Sequence, residues 1–360
     1  MRGIYPYYGA SGIVDYVNDY IFDEPLILLG EDGENILSRS TRLAFKVRGK
    51  VWVNNHAHVI RPNQGTDLGF LVEYLESLNY EKLNSGTAQP KLNKQACLNI
   101  PVVCPPLPEQ QAIANALSDA DALIESLEQL IEKKRQIKQG VMQELLTGKR
   151  RLPGFSGEWE WGKLGELVQT IPGGVYGIEK KVAGLVGAKV ATTAHISDED
   201  EWNGKKMAER YFTSTQLEGY LVKTNDLVVV KSSGSAASIK SGKIGLVTEK
   251  EANKFVFSNF LMVLRPKNIF PNFLYSYLVS NNVKKLLPSL VEASTYPNIR
   301  RDEYLAIQIP VPKLQEQKEI AAFLAEQAVE IEVLAVKFAK LKQIKQAMMQ
   351  ELLTGKVRLV

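Results

Sequence analysis

Cysteine and histidine are scarce in this 360-residue chain: two cysteines, Cys97 and Cys104, and three histidines. So few, so widely spaced, they exclude a disulfide framework and a Cys/His metal cluster, and free, partly buried thiols are the expected state. Long apolar runs are missing too, as is a basic leader followed by an apolar stretch, so neither a membrane span nor a secretion signal is expected and a cytoplasmic location is. An excess of one charge is equally absent: 44 basic against 40 acidic residues leave a net +4. A strong general affinity for a polyanion therefore does not follow from the totals, and any such binding must come from local patches or from partners. Composition is otherwise that of an ordinary soluble protein, 45% hydrophobic and 23% charged, with length enough for two domains and a real core.

What the chain does have is a duplication. The heptapeptide MQELLTG occupies 142–148 and again 349–355, an offset of 349 − 142 = 207. The same offset pairs Gln136-Ile137-Lys138-Gln139 with Gln343-Ile344-Lys345-Gln346, and Glu109-Gln110 with Glu316-Gln317. Upstream, LNIPVVCPPLPEQ from Leu98 reads against LAIQIPVPKLQEQ from Leu305. With small gaps, Phe70-Leu71, Tyr74-Leu75 and Arg61-Pro62 meet Phe273-Leu274, Tyr277-Leu278 and Arg265-Pro266. A period of that length is a domain, far above the repeat length of a solenoid.

Each copy ends in a long helix. From Glu109 to Gly148 the only glycine before the end is Gly140 and proline is absent, while Ile113, Leu117, Ala120, Ile124, Leu127, Ile131, Val141 and Leu145 recur at spacings of four and three, interrupted by Lys134 and Lys138. The second seam runs Ile320, Leu324, Gln327, Ile331, Leu334, Phe338, Leu341, Lys345, Met348 and Leu352. These are heptads. At about 1.5 Å per residue each helix is roughly 60 Å long, too long to leave its apolar stripe exposed, so the two are expected to pair. A tandem duplication that closes on itself relates its halves by a pseudo-twofold axis, which sets the helices antiparallel. Thr147-Gly148-Lys149 and Thr354-Gly355-Lys356 supply the stops.

A globular domain, a proline-rich exit, a long helix closing in ELLTGK, then the same again: this arrangement closely resembles the specificity subunit of type I restriction-modification systems over nearly the whole chain. The strings YPYYGASGIV from Tyr5, LILLGEDG from Leu26, WVNNHAHVIRP from Trp52 and KLGEL from Lys163 support it in order. The resemblance implies an α+β fold of two pseudo-symmetric mixed α/β target-recognition domains joined by two long antiparallel coiled-coil helices. The expected boundaries are 1–106 for the first domain, 107–150 for its helix, 151–312 for the second domain and 313–360 for its helix. One departure stands out: Leu26 aligns with Leu227, so Met1 corresponds to about Trp202, and the first domain lacks a counterpart to roughly 151–201.

The resemblance also implies the partners: double-stranded DNA read as two half-sites, two modification (methyltransferase) subunits docked on the helices, whose coiled-coil and partner interface is carried by Leu117, Ile124, Leu127, Ile131, Leu324, Ile331, Leu334 and Phe338, and restriction (translocase-nuclease) subunits beyond them. S-adenosylmethionine, ATP and Mg²⁺ are then cofactors of those partners, with none in this chain. No catalytic set is visible in it. The only Pro-Pro, Cys104-Pro105-Pro106-Leu107, does not make the Asn/Asp-Pro-Pro-Tyr/Phe motif of a DNA-amino methyltransferase, and Glu132-Lys133-Lys134, which mimics a nuclease element, lies inside the coil.

DNA contacts need side chains held by rigid elements, with small residues and lysines for phosphate. The best candidate is Lys231 to Lys243, KSSGSAASIKSGK, between the apolar strand 227–230 and a strand starting at Ile244; Lys231, Ser232, Ser233, Ser235, Lys240 and Lys243 are the contacts expected there. The alternative is a plain hairpin loop, and a P-loop is excluded because Gly242-Lys243 precedes Ile244. A second candidate holds Thr295, Tyr296, Asn298 and Arg300, a third Gly173, Gly174 and Tyr176, each otherwise a turn. Tyr8 and Ser11 are the candidates in the first domain. His56 and His58 alternate as on a strand, but with no third ligand nearby they read as a structural or DNA-contacting pair, and no metal is expected.

Overall fold

The computed structural model describes residues 3–86, 88–232, 234–235, 238–292 and 297–359. The chain divides into two compact units, residues 1–132 with 333–360, and residues 133–332. Both boundaries fall inside the long helices, so each unit owns one sheet domain and part of each helix.

Unit 1 begins with β1 (Tyr5–Gly9), β2 (Gly12–Val17), β3 (Phe22–Asp23), β4 (Leu26–Gly30), the short α1 (Asn35–Ser38), β5 (Ala44–Val47), β6 (Lys50–Val53) and β7 (Ala57–Ile60). Then come α2 (Leu68–Ser77), α3 (Lys94–Leu98) and the long α4 (Leu107–Leu145). The strands form two sheets, ordered β2-β1-β6-β3 and β5-β4-β7. Strand β4 is buried throughout because its alternate residues feed two cores, Ile27 and Leu29 against Leu71, Val72 and Leu75 of α2, Leu26 and Leu28 against Val47, Val51 and Val53.

Unit 2 carries β8 (Glu160–Lys163), α5 (Leu164–Leu167), β9 (Val168–Ile171), β10 (Val186–Ala191), β11 (Ala208–Phe212), α6 (Ser214–Tyr220) and β12 (Leu227–Val230). It continues with the small hairpin β13 (Gly234–Ser235) and β14 (Ser238–Ile239), then β15 (Ile244–Leu246), β16 (Phe255–Phe257) and β17 (Leu261–Pro266). The rest is α7 (Pro271–Leu278), α8 (Asn281–Lys284), α9 (Leu287–Leu290), β18 (Val291–Glu292), β19 (Asn298–Ile299), α10 (Arg301–Leu305), β20 (Gln308–Val311) and α11 (Leu314–Leu352). Sheet β15-β12-β17-β9 matches β5-β4-β7 of unit 1 with one strand more, and β11-β10-β16 matches β2-β1-β6. Strand β12 alternates as β4 does: Leu227 and Val229 face Phe273, Leu274 and Tyr277, while Val228 and Val230 face Phe255, Phe257 and Val263.

The helices are antiparallel within each unit. In unit 1, Ile113 and Leu117 near the start of α4 share a core with Met348 and Leu352 near the end of α11; in unit 2, Val141 and Leu145 near the end of α4 meet Ile320 and Leu324 near the start of α11. Every seam position read from the sequence is covered, with Leu127 and Ile131 buried and Ile124, Ile331, Leu334 and Phe338 half-buried. The seam lysines find carboxylates or pay for lacking them: Lys134 Nζ sits 2.6 Å from Glu330 and Lys345 Nζ 2.6 Å from Asp121. Lys138, half-buried, has its pKa pushed down by burial, which Glu201 opposes only in part.

The duplicated Glu-Gln pair is a clamp between domain and helix. Gln110 donates to the carbonyl of Pro105 at 2.8 Å and accepts from the Asp67 amide at 2.8 Å; Gln317 donates to Pro312 at 2.7 Å and accepts from Phe270 at 2.7 Å. Tyr74 and Tyr277 repeat one another as well, donating to the carbonyls of Pro101 and Gln308.

Strand pairing moves the repeat boundary expected in the first domain. Strand β1 runs parallel to β6, Tyr7 opposite Trp52, as β10 runs parallel to β16, Val190 opposite Val256. Residues 5–9 therefore take the place of 186–191, not of a segment beyond Trp202. The gapless offset erred because the turn joining β1 to β2 is tight, whereas β10 and β11 are joined by the whole of 192–207. What unit 1 lacks, among the described residues, is a counterpart of β8, α5 and β9, and of that connection.

Candidate nucleic-acid interface

In unit 2 the three candidate segments, distant in sequence, meet at one end of the sheet. Strand β12 delivers Lys231, whose amide donates to Phe260 at 2.9 Å and whose carbonyl accepts from Ile299 at 2.9 Å. Ser232 bridges to Asn298, and Ser241 Oγ donates to the Pro297 carbonyl at 2.6 Å. From the other side, Lys231 Nζ reaches the Pro172 carbonyl at 3.4 Å, one residue before Gly173. A cleft of about 490 Å³ opens here, lined by Pro172, Lys231, Glu292, Arg300, Arg301, Asp302 and Glu303.

The individual candidates fare differently. Lys231 and Lys240 are half-exposed; Lys243 is turned aside, donating to the Asp198 carbonyl. Ser232 is buried at 5% exposure, held in the sheet by its own amide. Ser235 lies on β13, opposite Ser238, while Ser233, Thr295 and Tyr296 lie outside the described residues. Asn298 is half-buried, and Arg300 is exposed and paired with Glu303 at 2.6 Å. Gly174 is needed by the fold: a Cβ there would collide with the Phe257 carbonyl, the acceptor of the neighbouring Val175 amide. Gly173 has room, with Lys231 Nζ as the nearest neighbour. Tyr176 is exposed under the Arg210 guanidinium, 5.2 Å from its ring, and Arg210 is tied to Glu179 at 2.9 Å.

Unit 1 builds the same sheet end from different chemistry. Leu92 donates to the Glu31 carbonyl at 2.7 Å as Ile299 does to Lys231, and Asp32 bridges to Lys91 as Ser232 does to Asn298. Where unit 2 presents Lys231 and Ser232, unit 1 presents two carboxylates. They are engaged locally: Glu31 with Lys91 at 3.1 Å and with His58 at 3.7 Å, Asp32 with His56 at 2.7 Å. The two histidines thus sit on separate carboxylates, and among the described residues no group of side chains is arranged to hold a metal. Tyr8 is half-buried on Phe45, and burial, then Tyr16, raises its pKa. Ser11 is exposed at the tip of the β1–β2 turn.

Arg301, the last residue of the second candidate segment, lines the cleft; sequence reasoning missed Pro172 and the acidic pair Glu31-Asp32. The last was legible as Gly30-Glu31-Asp32-Gly33, but only strand pairing reveals that it is the equivalent of Lys231-Ser232.

A chain duplicated into two mixed domains, each clamped by a buried Gln to an antiparallel helix pair, with loops converging at a sheet end, has the build of a DNA-reading scaffold. The chain belongs to the family described as the type I restriction modification DNA specificity domain, whose model matches residues 1–137 and 177–345. It is similar to the type I restriction enzyme MjaVIII specificity subunit of Methanocaldococcus jannaschii, 28% identical over 99% of this chain and 87% of that protein. A putative type I restriction enzyme specificity subunit of Haemophilus influenzae is 36% identical over 34% of this chain, a segment spanning 31% of that protein. Among solved structures, the S subunit of a type I restriction-modification system from M. genitalium shares the fold at a TM-score of 0.56 and 17% identity, covering 98% of this chain and 89% of that one. Among the described residues no helix is long and apolar enough to cross a membrane.

Proposed function

We propose that this chain is the non-catalytic specificity subunit of a type I restriction-modification complex, reading double-stranded DNA as two half-sites and docking two methyltransferase subunits on its paired helices. The observation that carries this reading is that Pro172, Lys231, Arg300 and Arg301, from three segments distant in sequence, line one cleft in unit 2 with Glu292, Asp302 and Glu303, and that Gly173 stands beside Lys231 Nζ. Lys231, Lys240, Arg300, Tyr176 and Gly173 are the contacts favoured by position. Lys243, Ser232 and Asn298 act by holding the loops, and Ser233, Ser235, Thr295 and Tyr296 are further contacts in this reading. Tyr8 and Ser11 take the corresponding part in unit 1. Methyl transfer and ATP-driven translocation belong to the partners, with their S-adenosylmethionine, ATP and Mg²⁺, and the outward apolar residues of the helices, Leu123, Leu130, Val333 and Val336 among them, offer a surface for docking.

A second reading, a scaffold that reads only one half-site, is favoured by Glu31 and Asp32, which repel phosphate where unit 2 attracts it. One experiment separates the two. Residues 151–312 are exchanged for those of a relative, and the methylated motif is mapped in a host carrying the partner subunits. A two-part motif with one half changed supports the first reading, a one-part motif the second. Both halves changing together defeats modular recognition altogether.

A further inference from the structure

The cleft of unit 2 holds acids as well as bases. Three basic side chains line it, Lys231, Arg300 and Arg301, and three acidic ones, Glu292, Asp302 and Glu303. Both arginines are engaged with carboxylates: Arg300 Nη1 lies 2.6 Å from Glu303 Oε1, and Arg301 Nε lies 3.1 Å from Asp302 Oδ1. The arrangement recurs at Tyr176, where the guanidinium stacked on the ring, that of Arg210, donates to Glu179 at 2.9 Å. Three arginines of the candidate surface are thus each matched by an acid of the same unit.

These pairs differ from the ones that hold the fold. Asp226 on Arg265 and Glu316 on Arg151 are buried, and removing either partner strands a charge away from water. At the candidate surface the acid is the more exposed member of each pair: the side chains of Glu179, Asp302 and Glu303 are 78%, 87% and 48% exposed. Pairs so open to water contribute little to stability, and their carboxylates can be exchanged for another anion. A carboxylate on a guanidinium takes the N–H groups that a phosphate would take. Non-specific DNA is held by phosphate contacts and draws its affinity from the counterions they release, so a neutralised arginine adds little to it. A duplex already placed by base-edge contacts brings its phosphates to fixed positions, where they displace the acids at small cost.

Given the DNA-reading function proposed above, on which this inference rests, we propose that Glu179, Asp302 and Glu303 are specificity-determining residues. They occupy Arg210, Arg301 and Arg300 in the free protein, suppress binding to non-specific duplex, and yield to a duplex that base contacts have docked. Arg210 and Arg301 thereby join Arg300 as phosphate contacts of unit 2. The acids act through these arginines and set the difference between two affinities, the quantity on which recognition among many competing sites depends.

The test uses the complex assembled with its partner subunits and two duplexes of equal length, one carrying the motif methylated in the host and one lacking it, titrated by fluorescence anisotropy over a range of salt. Glu179→Gln, Asp302→Asn and Glu303→Gln together are expected to strengthen binding of the motif-free duplex about tenfold or more and to steepen its salt dependence by roughly one unit for each freed arginine. Affinity for the motif duplex is expected to rise far less, so discrimination falls, and the melting temperature stays that of the parent. A second triple variant, Glu158→Gln, Glu218→Gln and Glu249→Gln, makes the same change of charge at exposed residues outside the cleft lining and is expected to move the salt slope little. Equal effects of the two triple variants, equal gains for both duplexes, unchanged motif-free binding, or a fall in melting temperature that makes the pairs structural each overturn the proposal and leave the DNA reading standing. A parent complex that methylates no motif, or binds both duplexes alike, overturns both.

Discussion

The carboxylates of Glu109 and Glu316 begin the same motif at the same point of two equal helices, yet they live in different surroundings. Glu316 is 1% exposed and serves both Arg151 and the Trp159 indole; Glu109 meets an Arg358 whose side chain is 56% exposed. The sheets differ likewise, four strands about β12 against three about β4. What the repeat fixes is the identity of a contact, and its energetic weight comes from what covers it. A charge pair taken out of water is costly to break on one side, whereas an exposed pair contributes little.

The largest test of the comparison lies in the seam common to both units. Leu127→Asp places a carboxylate at a position 6% exposed, at a cost of about 4 kcal/mol. The expected outcome is an early melting transition, proteolysis between 107 and 150, and loss of partner binding. Unchanged melting would mean that the seam is not what holds the helices.

Next comes the clamp itself. Glu316→Ala strands the guanidinium of Arg151 and an indole N–H, and should cost about 3 kcal/mol by chemical denaturation. Glu109→Ala should cost far less, and equal losses would mean that burial does not set the weight of this contact. pH sharpens the contrast. The Arg358 hydrogen bond holds the Glu109 carboxyl below the ordinary value of 4.5. That contribution is present above the ordinary value and is lost as pH falls through the depressed one. An Arg358→Leu variant should therefore differ from the parent at neutral pH and converge with it in acid.

At the sheet ends the comparison becomes one of affinity for DNA. In the assembled complex, Lys231→Ala should weaken specific and non-specific binding by similar factors and reduce the salt slope by about one. Lys243→Ala, whose ammonium is turned onto the Asp198 carbonyl, should do less. Glu31→Gln in unit 1 should strengthen binding. If it does not, this end of unit 1 does not face phosphate.

The smallest effect concerns the equivalent lysines. Lys345 has Asp121 and Glu73 within reach, so Lys345→Met should lower the melting temperature. Lys138 titrates below its ordinary 10.5 because burial disfavours its charge. A lowered amine costs stability below its folded pKa, and the cost fades as pH rises toward the ordinary value. Lys138→Met should thus raise the melting temperature at neutral pH, with the gain shrinking in alkali.

Much of this protein was legible in one dimension. The heptads named a stripe of positions, Ile113 to Leu352, that are buried or half-buried, because a helix carries its face in its period and needs no distant information to do so. Periodicity and duplication together implied antiparallel pairing. The strand β12 and the start of β15 at Ile244 also followed from local pattern, an apolar run bounded by small residues.

Only the tertiary structure decided which of those pieces meet. That Lys231 shares a cleft with Pro172 and Arg301, that Ser232 is buried, that Gly174 answers to the Phe257 backbone, and that Glu31 stands where Lys231 does are all facts of strand pairing across long loops. A gapless offset even misplaced β1, since a short turn and a long connection join the same two strands. Local sequence sets backbone periodicity through sterics and the alternation of side chains, but register between strands is settled by the sum of contacts made when the chain closes, and that sum is not written at any one residue.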